Sequence, residues 1–198
     1  MNTARGTGAM AMLFLAIWAG PAARAADLRS ADSFNTIADR AERSRALFAE
    51  AGKVLQHPRC LNCHPVGDRP TQGNDMHPHS PLVVRGDDDK GAVAMRCTTC
   101  HQARNFDPAG VPGHPLWHVA PLSMAWQTRT LGQICAQMKD PAKNGGKTLA
   151  QIQEHLAHDS LVGWGWHPGG TREPAPGTQE QLGVLAAAWI ATGAECPR

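Results

Sequence analysis

The chain has 198 residues, enough for one domain and short for two, and its 42% hydrophobic and 18% charged content marks a globular protein rather than a disordered one. Aromatics are only 5%, while 20 Gly and 15 Pro imply long loops, so side chains alone make a thin core and a cofactor can fill the middle. The formal charge of +2 resides in the N-terminal segment: without Arg5 and Arg24, 17 bases face 17 acids, which gives no basis for a nucleic-acid partner.

Residues 1–25 read as an export signal, with Arg5 as the positive head, an apolar stretch over Ala9 to Ala19, a Gly20-Pro21 break and small residues at Ala23 and Ala25. Cleavage after Ala25 is expected, leaving residues 26–198 as a periplasmic domain. Beyond the signal no apolar run approaches the roughly 20 residues a spanning helix needs, so no membrane span is expected after cleavage. From Ser33 to Gln56, Phe34, Ile37, Ala41, Leu47, Phe48, Ala51 and Leu55 fall near one helical stripe. This predicted helix runs into His57-Pro58.

Six cysteines in an exported chain would ordinarily be a disulfide framework, but four of them are spaced otherwise. Cys60, Cys63 and His64 spell C-L-N-C-H, and Cys97, Cys100 and His101 spell C-T-T-C-H. This is the attachment signature of c-type haem. Two thiols three positions apart on a helical turn reach the two vinyl groups on one porphyrin edge, and the adjacent His enters the iron from the proximal face. Zinc held by two C-x-x-C pairs, or two redox dithiols, would leave the His after each pair without a purpose. Two covalently bound haem c groups are therefore expected.

A shift of 37 residues superimposes Arg59, Cys60, Cys63, His64, Gly73, His77 and Pro78 on Arg96, Cys97, Cys100, His101, Gly110, His114 and Pro115. The pattern is that of two copies of one haem-binding unit. The repeat nominates His77 and His114 as sixth iron ligands, with His79 and His118 close by. Met76, Met95 and Met124 are thioether alternatives, and His155 and His158 lie on a later helix. The expectation is bis-His ligation of the first haem by His64 with His79 or His77. For the second it is His101 with His118, His114 or Met124. Bis-His ligation lowers the potential relative to His/Met.

Residues 65–92 and 102–123 are rich in Gly and Pro and carry neither helical nor strand periodicity, so they are expected to wrap the haems, with Asp87-Asp88-Asp89-Lys90 as a solvated turn. Thr130 to Lys139 reads as a short helix, and Thr148 to Gln151 and Thr178 to Gln181 open two more with capping boxes. The tryptophans of the Trp-Gly loop Leu161 to Pro168 are expected to fill core, with shielding of a haem edge as the alternative. No strand pattern emerges, and the expected fold is all-α and cytochrome c-like, with short helices and long loops around two haems. Cys135 and Cys196, outside any C-x-x-C, are candidates for a disulfide that ties down the C-terminus.

Beyond the double motif, Trp117-His118-x-Ala120-Pro121, Lys139-Asp140-Pro141 with Asn144-Gly145-Gly146, His158-Asp159 with Leu161 to Trp166, and Arg172 with Pro174 to Thr178 resemble one bacterial family. Its members are small exported dihaem cytochromes, often labelled isoquinoline 1-oxidoreductase subunit. The resemblance implies haem attachment at Cys60, Cys63, Cys97 and Cys100 with proximal His64 and His101. The enzyme in that label resembles the molybdenum hydroxylases, whose iron–sulfur clusters each need four cysteines in their own spacing. With four cysteines committed to haem, this chain is not that catalytic subunit and at most accepts its electrons. The function expected is a carrier of single electrons from an exported or membrane-bound dehydrogenase to a cytochrome or oxidase. The alternative is a small haem enzyme, peroxidase-like, or a haem sensor with one open iron site; no residue is assigned a catalytic role.

Overall fold

Asp39 starts the first long helix: its carboxylate accepts the Glu42 backbone N–H at 2.6 Å and caps α1, Arg40–Leu55. The computed structural model describes residues 27–198, and the export signal expected over residues 1–25 lies outside them. The helix expected from Ser33 is thus shorter than the apolar stripe. Ala31–Phe34 forms a separate 3-10 turn, because a side chain that caps at Asp39 closes the helix to anything before it.

After α1 come α2, Pro58–Leu61, and two antiparallel hairpins: β1 Thr71–Gln72 with β2 His77–Pro78, and β3 Gly91–Ala92 with β4 Met95–Arg96. These correct the expectation that no strand occurs; each strand is two residues long, too short to show an alternating pattern. Next come α3 (Cys97–Cys100), α4 (Leu131–Lys139), α5 (Leu149–His158), α6 (Ser160–Gly163) and α7 (Gln179–Ala191). Thr130, Thr148 and Thr178 each close a capping box with a Gln at the third helical position, so α4, α5 and α7 begin where their sequences say they should.

The core forms where α7 packs against α1 and α5. Trp189 lies 4.8 Å from Phe48 between ring centres, amid fully buried Leu47, Leu55, Leu182 and Leu185. Gly183 lets α5 and α7 touch, since a Cβ there would meet the Ala157 side chain at 2.5 Å. Cys135 of α4 is bonded to Cys196, with Cα atoms 5.6 Å apart, and fastens the segment after α7 to the core. Among the described residues no helix is long and apolar enough to cross a membrane.

Candidate functional site

The first C-x-x-C-H motif grows out of the helical core. His57 caps α2 by accepting the Arg59 N–H at 3.2 Å, and the turn continues past α2 because the His64 N–H reaches the Cys60 carbonyl at 3.1 Å. Cys60 and Cys63 thereby sit one turn apart. Burial pushes the Cys60 thiol up to about 12, reinforced by Cys63, and the Cys63 thiol up to about 11, so both stay protonated. His64 Nδ1 lies 2.7 Å from the Met124 carbonyl. A carbonyl can only accept, so Nδ1 carries the proton and Nε2 the lone pair. Burial pulls His64 down to about 4, which keeps the ring neutral, and Trp126 stacks on it at 3.5 Å and 6°.

Beside this motif lies a cavity of about 330 Å³, walled by Leu55 of α1, Met138 of α4, Leu156 of α5 and Leu182 of α7 and by Trp164 and Trp166. An apolar space of that size at the centre of the fold is far larger than the voids a packed core tolerates. The expected core-filling role of the Trp-Gly loop is therefore refined: its tryptophans wall the cavity. Two cavity residues also carry buried N–H groups with no partner among the described residues, Arg59 Nε and Trp126 Nε1. An apolar slot with two thiols, a neutral imidazole and spare N–H donors suits a planar, apolar cofactor bearing carboxylates.

The second motif stands on loops. Hairpin β3–β4 delivers α3, on which Cys97 is half-buried and Cys100 exposed. His101 repeats the arrangement of His64: Nδ1 is 2.8 Å from the Pro112 carbonyl, and Trp117 stacks on the ring at 4.5 Å and 11°. Trp164 then meets Trp117 edge-on at 4.8 Å, so a wall of the first cavity abuts the second motif.

The remaining candidates separate by what their ring nitrogens already do. His77 is saturated: Nδ1 binds the Asp75 carboxylate at 2.6 Å and Nε2 meets Gln72 Nε2 at 3.0 Å. His114 is saturated too, with Nδ1 accepting the Leu116 N–H at 3.1 Å and Nε2 on Ser160 Oγ at 3.1 Å. His79 and His118 differ from both. Each Nδ1 is held by a backbone carbonyl, that of Pro81 at 3.0 Å and that of Leu116 at 2.5 Å, which leaves Nε2 with the lone pair.

Their positions can be set beside the expected pairing. His118 and Met124 line the cavity of His64. His79 lies beside His101, with ring centres 5.9 Å apart. The cause is a crossing of the two loops: the Ala120 N–H donates to the Cys63 carbonyl at 2.8 Å and the Val119 N–H to Asp89 at 3.0 Å, laying the second unit's tail on the first motif. Met95 is exposed on β4, Met76 lies on the turn between β1 and β2, and His158 is exposed beside Glu154. His155 of α5 lines the first cavity with Asp159 at 3.3 Å from its Nδ1.

Sequence reasoning missed the clamp on this crossing. Buried Arg85 donates to Ala120 O at 2.7 Å, Asp89 Oδ1 at 2.5 Å and Pro65 O at 3.3 Å. Asp88 chelates Arg96, so the acidic turn expected to be merely solvated is a pairing site for two arginines. The Arg-Gly-Asp-Asp-Asp run was its only signal. The repeat is real at its glycines, since Gly73 and Gly110 both take left-handed backbone (φ +81 and +65). It fails at the ladder, where the second unit keeps only the single bridge Phe106–Val111.

Among the described residues no three His, Cys, Asp or Glu side chains converge as a bare-metal site would require. No protein-family model matches the chain, and no match is found among curated proteins or solved structures.

Proposed function

We propose that the protein is an exported, periplasmic c-type cytochrome that holds two covalent haems and carries single electrons. The observation that supports this most is the duplicated arrangement: two cysteines on one helical turn, then a His whose Nδ1 is held by a carbonyl, at 2.7 Å for His64 and 2.8 Å for His101, with a Trp stacked on each ring. That combination fixes the tautomer and orientation of a metal-binding imidazole. Each haem would supply a one-electron iron centre. The chain's part is to anchor it: Cys60 and Cys63, or Cys97 and Cys100, add as thiols across the two vinyl groups, each S–H yielding one thioether. His64 and His101 are the proximal ligands, and Arg59 Nε and Trp126 Nε1 offer donors to haem carboxylates.

The donor in this reading is an exported or membrane-bound dehydrogenase, a molybdenum hydroxylase being one class that fits, and the acceptor is another cytochrome or an oxidase. One observation favours a different reading, a small peroxidase-like enzyme or a sensor: the His155–Asp159 pair lines the first cavity and is placed for proton transfer. Optical spectra of the exported protein, oxidised and reduced, with haem quantified per chain and carbon monoxide added, separate the two. Low-spin haems indifferent to carbon monoxide are expected. A high-spin fraction or a carbon monoxide shift would hand the lead to the enzyme or sensor, and absence of covalent haem would overturn both.

A further inference from the structure

The 5.9 Å between the ring centres of His79 and His101 matches the spacing an iron ion imposes on two axial imidazoles. Two metal–nitrogen bonds of about 2 Å, plus about 1 Å from each nitrogen to its ring centre, give roughly 6 Å. Both rings are prepared for the same role. His79 Nδ1 donates to Pro81 O at 3.0 Å and His101 Nδ1 to Pro112 O at 2.8 Å, so in each ring Nε2 is the nitrogen left for a metal. Among the described residues neither Nε2 has a hydrogen-bond partner.

His79 is also held from its backbone. Its N–H donates to Pro70 O at 2.9 Å, and its carbonyl accepts from Arg69 Nη2 at 2.7 Å and Nε at 3.1 Å. This fits a ligand positioned in advance rather than a loop residue that happens to pass by. The rivals for the second iron are otherwise engaged: His114 uses both nitrogens, and His118 and Met124 line the other cavity.

We propose that His79, from the loop following the first motif, is the sixth ligand of the iron held by His101 of the second motif, so that the two repeat units interlock through that iron. This rests on the dihaem reading above and goes beyond it, since the repeat would have matched each loop to its own haem. The rings cross at 68°, so the second haem has imidazole planes closer to perpendicular than to parallel. It therefore gives a strongly anisotropic low-spin electron paramagnetic resonance signal.

The test uses the exported holoprotein with covalent haem counted per chain. H79G is expected to turn one of the two haems high-spin and reactive toward carbon monoxide, with low spin restored by added imidazole, while H77G leaves both low-spin. On a background with Cys97 and Cys100 replaced by serine, which retains the first haem alone, H79G is expected to leave the remaining spectrum as in that background. Two covalent haems with wild-type spectra in H79G would overturn the assignment and leave the cytochrome reading standing. An effect in the single-haem background would give His79 to the first iron and overturn it equally. Wild-type protein without covalent haem would overturn the reading beneath. If H79G does not accumulate, H79M keeps a ligand in place: one haem's near-infrared charge-transfer band should move to the His/Met position and its potential should rise. An unmoved band would again overturn the proposal.

Discussion

The two C-x-x-C-H motifs share their letters and differ in almost everything around them. The first continues directly from α1 into a cavity walled by α1, α4, α5 and α7; the second sits on a hairpin and loops, with Cys100 exposed. What is common is confined to the site itself: the spacing, the carbonyl on Nδ1 and the stacked Trp. A repeat at the level of chemistry therefore does not require a repeat at the level of fold. The first site is part of the hydrophobic core and the second is an attachment to it, nearer to solvent.

The sharpest way to break that contrast is to remove one pair of thiols at a time. Replacing Cys60 and Cys63 with serine should cost several kcal/mol, seen as loss of near-ultraviolet dichroism and a steep fall in Tm. The same change at Cys97 and Cys100 should leave the helices and the first haem in place. Equal losses would mean that the two sites are not differently embedded.

Next in size is the disulfide. Cys135 and Cys196 close a loop over a sequence separation of 61 on the cavity side of the molecule. Replacing both with alanine should cost up to about 4 kcal/mol in a denaturant titration and leave the second haem's spectrum unchanged. A change in that spectrum would show that the bond braces both sites. Arg85→Met is smaller, about 2 to 3 kcal/mol, because it strands Asp89 and three carbonyls at the loop crossing. Amide exchange should accelerate around Val119 and Ala120 and not in α7, and uniform acceleration would count against a local clamp.

The smallest expected effect is a pH effect in the second region. The Arg96 guanidinium bonded to Asp88 holds that carboxyl down at about 2. A carboxyl lowered in the folded state stabilises above its ordinary range and loses that contribution as pH falls through its folded value. Protection of the β3–β4 hairpin should thus hold from neutrality to about pH 4 and fade toward pH 2, with little change in α1. Hairpin protection that already fades near pH 5 would contradict the pairing.

These contrasts also explain what could be read in advance. The C-x-x-C-H turns and the starts of α4, α5 and α7 were legible because each depends on residues within four positions of one another, as in Thr148 with Gln151. The β-hairpins were not, since two-residue strands have no period, and the start of α1 was misjudged because the apolar stripe continues past the Asp39 cap. The placement of the distal candidates was not legible for a deeper reason. Sequence distance favours His79 for the first motif, whereas the Ala120–Cys63 bond and the Arg85 clamp decide which loop lies over which site. Trp126, stacked on His64 from 62 residues away, had no local signal at all.

The central claim is two covalent haems, one per motif, and the most direct test is the intact mass of the exported protein beside its two double-serine variants. The account predicts a chain beginning at Ala26 that carries two haem masses resistant to denaturation, and one haem mass in each variant. A bare chain, or a chain that releases its iron group on denaturation, would contradict it.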